Sequence, residues 1–160
     1  MLALWTGQRQ RDLLRLPWSA YDGQNIRLRQ SKTGEPVLIP VGAPLKAMLD
    51  ATPRISPIIL TNTEGKPWTS DGFRASWRKA CKKAGITGVT FNDLRGTAVT
   101  RLAIAGCTEA KIASVTGHSL PDVRSILDAH YLHRDPALAR DAITKLEVAY
   151  AKRSGTDPSK

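Results

Sequence analysis

The sequence predicts an α+β fold, mainly α, with a small antiparallel β-sheet packed against a helical core. Three observations predict it. Leu94, Ala98, Leu102 and Ala105 recur at helical spacing, and so do Phe73, Trp77, Cys81 and Ala84. Ile26 with Leu28, and Val37 with Ile39 and Val41, alternate along two short runs, as strand residues do. The 160 residues are enough for one domain with a genuine core.

In chain order, Met1 to Trp5 reads as the last turns of a helix that Thr6-Gly7 breaks. Arg9 to Leu16 is a short helix with Leu13, Leu14 and Leu16 inward and Pro17 as its stop. Trp18 to Tyr21 is expected to add a short strand. Asn25–Gln30 and Val37–Val41 form a hairpin through Ser31-Lys32-Thr33-Gly34-Glu35, where Gly34 supplies the positive φ. Ala43–Ala51 is a helix with Pro44 near its start. A Pro-rich stretch follows, then an expected strand at Ile58-Ile59-Leu60. Thr69 or Ser70 caps a helix that Gly85 ends. Thr90, with Asp93 three residues on, opens the next helix, and Gly106 closes it. Thr108 caps Glu109–Thr116, a further helix runs from Pro121 to about Tyr131, and the last begins at Asp135-Pro136. Residues 151–160 are expected to be a disordered tail.

Lys and Arg number 24 against 14 Asp and Glu, a net charge of +10. A surplus of that size suggests a polyanionic partner, of which nucleic acid is the usual one. Arg74, Arg78 and Lys82, spaced by four on one helix face, are candidates for DNA-backbone contact, although such a row is also what a solvated face looks like. No apolar run approaches the roughly 20 residues of a membrane span. Met1 to Trp5 lacks the basic start and cleavage site of a secretory signal. Cys81 and Cys107 are too few and too far apart for a zinc site and read as reduced packing residues of a cytoplasmic protein. Arg95 lies in a first helical turn, on the face of Asn92, where backbone N–H groups and the helix dipole favour an anion.

Taken together, several polar residues make a pattern. Arg9 follows Thr-Gly; Lys32 sits in a Ser-Lys-Thr-Gly hairpin; Asn92 and Arg95 form an N-x-x-R helix start; Gly117-His118 and Tyr131 follow. At these residues the sequence resembles the catalytic domain of the tyrosine recombinases, the phage integrase family. TGQRQRDLLRLPW is similar to its first arginine box, QSKTG to its lysine hairpin, FNDLRGTAVTRLAIAG to its His-x-x-Arg box and IASVTGHS to its Gly-His box. DAHYLHR is similar to the segment of its nucleophile. Any one box is weak; five in order are specific, and they span most of residues 1–150.

The resemblance implies metal-independent cleavage and rejoining of DNA, without cofactor, through a 3′-phosphotyrosine. Tyr131 would attack, Arg9 and Arg95 would clamp the phosphate, His118 would donate another bond and Lys32 would protonate the leaving 5′ oxygen. It also implies double-stranded DNA as partner and a tetramer on DNA through the C-terminal helix. That helix, with Leu138, Ala142, Leu146 and Ala149 or Tyr150 on one side, could equally fold back on its own core, the arrangement expected without DNA.

The sequence departs from the family pattern in three ways. Asn92 stands where the family has His, and Asn cannot carry a proton. Thirteen positions separate His118 from Tyr131, more than is usual, so that Tyr131 could sit on a longer helix or a displaced segment; His130 and His133 flank it and could supply lost acid–base capacity. The N-terminal DNA-clamping domain of relatives is expected to be absent. Two other readings compete. One is a helix-turn-helix DNA-binding protein, for which Ala113, Gly117, Val123 and Leu127 are suitably spaced. The other is a recombinase-fold remnant that binds DNA without cutting it.

Overall fold

The computed structural model describes residues 1–132 and 136–153. Its order is α1 (Leu2–Thr6), α2 (Gln10–Leu13), a 3-10 turn (Trp18–Ala20), β1 (Asn25–Arg29), β2 (Pro36–Pro40), α3 (Ala43–Ala51), α4 (Ser70–Lys83), α5 (Asp93–Ile104), α6 (Glu109–Thr116), α7 (Leu120–Leu127), a π-turn (Asp128–Leu132) and α8 (Pro136–Arg153).

β1 and β2 pair antiparallel with Ile26 opposite Ile39 and Leu28 opposite Val37. The period of two sends Ile26, Val37 and Ile39 into the first core and leaves Arg27, Arg29 and Leu38 outside. Leu2, Leu13, Leu16, Trp18, Leu45, Leu49 and Ile59 complete that core. A second cluster joins Val99, Ile112, Val123, Leu127 and Tyr131, so α5, α6 and α7 bury their facing stripes against one another. Burying a Leu, Val or Ile side chain fully is worth about 1.5–3 kcal/mol, and these two clusters hold the chain together.

Two expected strands are absent among the described residues. Trp18–Ala20 closes as a 3-10 turn, and Tyr21 makes one isolated bridge to Ile26. Ile58 makes one bridge, to Pro17, and the Ile59 amide donates to the Leu16 carbonyl. The prolines in this stretch cannot donate to a ladder, so pairing stops after one rung.

α5 starts at Asp93, later than expected. Asp93 accepts from the Thr90 amide at 2.6 Å and hydroxyl at 3.0 Å, so it ties the preceding turn back while Asn92 takes the cap position. Its buried face carries Arg95, Ala98 and Val99, whereas Ala105 is exposed. α4 is held more loosely. Phe91 receives Phe73 and Trp77 edge to face, at 4.9 and 5.2 Å, and no residue of α4 is fully buried.

α8 does not fold back as expected. Leu138 packs against the second cluster, but Leu146 is 64 % exposed, and Ile143, Val148 and Tyr150 are exposed with it. Ala151–Arg153 continue this helix, and the rest of the expected tail, 154–160, lies outside the described residues.

Candidate phosphate-binding site

Gly7 starts the site. It ends α1 at φ 63°, and a Cβ there would come within 2.7 Å of the Thr116 side chain. Glycine thus lets the turn between α1 and α2 lie directly on the C-terminus of α6. Gly117 closes α6 in the same left-handed conformation, at φ 64°, and turns the chain so that His118 faces back toward α5.

The two expected arginines lie near enough to this junction for the charge of one to act on the other. Arg95 is only 8 % exposed; its Nη1 donates to the Gly7 carbonyl at 2.6 Å and to the Thr116 carbonyl at 3.1 Å. Its Nη2 is buried with no hydrogen-bond partner among the described residues. Arg95 is thus a buried residue of α5 rather than one on its solvated face. Burial, with a further push from the Arg9 charge, pulls the Arg95 guanidinium down to about 10. Arg9, at the cap of α2, donates from Nη1 to Gln30 Oε1 at 2.9 Å. Asp22 pairs with Arg27. Asp12 accepts the Ser31 amide at 2.9 Å, which ties α2 to the base of the lysine hairpin.

His118 Nδ1 lies 2.8 Å from Thr116 Oγ1. The Thr116 hydroxyl donates to the Ile112 carbonyl at 2.8 Å, so its oxygen accepts and the imidazole carries its proton on Nδ1. Nε2 of the neutral ring is then an acceptor. Burial and the Arg95 charge hold His118 down at about 4, against a smaller opposing pull from Asp122. Asn92, Arg95, Thr97, His118 and His130 line one cleft of about 520 Å³. Lys32 is exposed on its hairpin, and its charge, like that of His118, helps lower the Asp122 carboxyl, after the larger effect of the Ser119 hydrogen bond.

Tyr131 is not in this cleft. The π-turn carries it, 8 % exposed, into the second core among Val99, Ile112, Val123 and Leu127. His130, one residue earlier, lines the cleft instead; His133 lies outside the described residues. Asn92 also borders a second cleft of about 680 Å³ with Arg74, Trp77, Arg78 and Phe91. Arg74 is ion-paired with Asp71, and Lys82 is exposed further along the same helix. Among the described residues no three His, Cys, Asp or Glu side chains gather as metal ligands, and no helix is long and apolar enough to cross a membrane.

The α6–turn–α7 unit does form two helices joined at Gly117. Val123 and Leu127, which a helix-turn-helix reading needs at spaced positions, are core residues here, and the turn delivers His118 to the cleft. Sequence reasoning missed Gln8, Gln30 and Thr116. The signal for Gln30 was present: the alternation that turns Ile26 and Leu28 inward turns Gln30 inward too.

Fold and cleft define a mainly helical domain in which Arg95 and His118 line one cleft and the Arg9 charge acts on Arg95. The chain belongs to the phage integrase family, whose description matches residues 1–137. It is 30 % identical over 122 residues to the shufflon-specific DNA recombinase of Escherichia coli, covering 73 % of this chain and 30 % of that protein. Its fold is similar to that of the chain in a structure of a lambda integrase dimer bound to a COC′ core site, at a TM-score of 0.71 and 27 % identity over 84 % of this chain and 42 % of that one. XerA recombinase shares the fold at a TM-score of 0.70 and 21 % identity, over 89 % of this chain and 55 % of that one. The chain therefore spans about a third of the curated relative and about half of the solved ones.

Proposed function

We propose that this domain cleaves and rejoins DNA strands in site-specific recombination, through a covalent 3′-phosphotyrosine at Tyr131. The observation that carries the reading is that Arg95 and His118 line one cleft, with the Arg9 charge acting on Arg95 and a buried Arg95 amino group that has no acceptor among the described residues. Two guanidinium groups that repel one another gain most when a phosphodiester, and then its more highly charged transition state, lies between them.

In this mechanism the Tyr131 phenol gives its proton to the His130 imidazole, its oxygen attacks phosphorus and the bond to the 5′ oxygen breaks. Lys32, on its exposed hairpin, gives the departing oxygen a proton. The covalent ester conserves the bond energy, so a 5′ hydroxyl can attack it in turn and release the tyrosine. An anion raises the His118 pKa, and the protonated ring then donates to the phosphate from Nε2. Tyr131 has to leave its core position to attack, so the DNA-free arrangement is a resting one. Arg74, Arg78 and Lys82 contact the backbone beside the cleft, which the shared border at Asn92 supports. The exposed apolar side of α8 docks on a second copy in the DNA-bound assembly, as a tetramer requires.

A nicked suicide DNA substrate tests the function. The full chain forms a protein–DNA adduct that survives denaturation, and Tyr131→Phe does not. DNA binding that persists in the wild type without any adduct would favour the remnant that binds and no longer cuts, a reading to which Asn92 lends weight.

A further inference from the structure

Gln30 has no place in the mechanism above, yet it is one of the most completely bonded side chains in the molecule. It is fully buried. Its Nε2 donates to Gln8 Oε1 at 2.7 Å and to the Thr116 carbonyl at 3.0 Å. Its Oε1 accepts from Arg9 Nη1 at 2.9 Å and from the Thr33 hydroxyl at 3.2 Å. Both donors and both acceptor positions of the amide are thus in use. Gln8, 1 % exposed, adds its own bonds to the Val115 and Thr116 carbonyls at 3.2 Å.

The Thr116 carbonyl is where these lines meet. It accepts from Gln8, Gln30 and Arg95, while the Thr116 hydroxyl holds His118. The fit around it is tight: a Cβ on Gly117 would lie 2.3 Å from Gln30 Nε2. An apolar side chain at position 30 would fill the core as well and leave no amide to satisfy. What an amide adds is direction, since it fixes a guanidinium on one side and a carbonyl on the other.

We propose that Gln30 is a positioning residue: it sets Arg9 against the Thr116 junction, so that both arginines and His118 are aimed at one oxyanion before DNA arrives. This rests on the reading of the cleft as a phosphate site. Arg9 is exposed enough to adopt many rotamers, and a long side chain loses much entropy on being held. Gln30 brings that loss into the folding of the domain, so less is lost on binding. Thr33, in the lysine hairpin, shares the same oxygen, which links the Lys32 loop to the arrangement.

A double-mutant cycle tests this, with orthovanadate as the oxyanion and the His118 imidazole NMR signals as the readout, on the full chain. Gln30→Met keeps the volume and removes both polar arms. It weakens vanadate binding about tenfold with Arg9 present and less than about twofold in an Arg9→Ala background. A residue that only supports the fold would lower affinity equally in both backgrounds, and that result overturns the proposal, as does no loss in either. Should Gln30→Met fail to fold, the wild type decides. The Gln30 side-chain amide signals then shift on vanadate addition with the same half-saturation as His118; amide signals that stay fixed while His118 moves overturn the proposal. Absence of vanadate binding by the wild type overturns it together with the phosphate-site reading. A coupled cycle in a chain that forms no DNA adduct refutes strand cleavage and leaves the positioning role standing.

Discussion

Arg95 donates to the carbonyl of Gly7 at 2.6 Å, joining residues 88 apart in the chain. This contact seats the guanidinium of α5 against the turn that leads into Arg9. Arg95 carries charge into a buried place with one amino group unanswered among the described residues, a situation that a bound anion would relieve. Arg95→Met is therefore expected to leave the unfolding free energy within about 1 kcal/mol of wild type. The same change abolishes vanadate binding and adduct formation. Urea unfolding and the suicide-substrate gel check the two halves; a large loss of stability with cleavage retained would contradict the account.

His118 gives a pH signature. Its folded value of about 4 lies below the ordinary 6.5, so the unfolded chain takes up the proton first. The contribution is complete above pH 6.5 and is lost as pH falls toward 4. The ring is partly exposed, so solvent screening reduces the effect to the order of 1 kcal/mol. Unfolding in urea at about pH 7 and about pH 5 measures it, and His118→Gln flattens the difference. Oxyanion binding has the opposite sign: it takes up a proton and tightens as pH falls through this window.

Tyr131 separates packing from chemistry. Its ring is buried among Val99, Ile112, Val123 and Leu127. Tyr131→Ala is expected to cost about 3–5 kcal/mol, by analogy with other buried aromatics. Tyr131→Phe keeps the ring and changes stability by less than about 1 kcal/mol while removing the adduct. Thermal unfolding of both variants beside the adduct assay checks this.

Asn92 and His130 face the same cleft. Restoring the family's histidine with Asn92→His is expected to raise the cleavage rate, by up to about a hundredfold if proton transfer limits it. His130→Gln lowers the rate in the wild type and matters less in the Asn92→His background. Single-turnover cleavage rates of the two single variants and the double variant decide it; equal effects of His130→Gln in both would deny it the proton role.

α8 makes a prediction about assembly. Leu146 is 64 % exposed and Ile143 55 % exposed, so Leu146→Glu leaves thermal stability within about 0.5 kcal/mol. It is expected to prevent higher-order complexes on DNA, as followed by native gel or light scattering.

Much of this was legible in the residues. The hairpin register follows from the alternation of Ile26, Leu28, Val37 and Ile39, and the caps at Thr69 and Thr108 lie where helix starts require an oxygen. Arg95 and His118, both singled out in the sequence, line one cleft. What sequence could not supply was the inside of the site. Arg95 is buried because Gly7 and Thr116 approach it from distant parts of the chain, and no local period reports that. The π-turn shifts the register so that His130, rather than Tyr131, reaches the cleft, and a single inserted residue leaves no mark on the hydrophobic pattern. α8 has an apolar side at helical spacing, and spacing alone cannot say whether that side meets its own core or another molecule.

The central claim is that one cationic cleft serves one nucleophile. The most direct measurement is proteolysis and mass spectrometry of the adduct formed with a nicked suicide substrate. The account predicts a nucleotide-bearing peptide modified at Tyr131, absent from the Arg95→Met variant. A covalent link at any other residue, or an adduct that survives Tyr131→Phe, would contradict it.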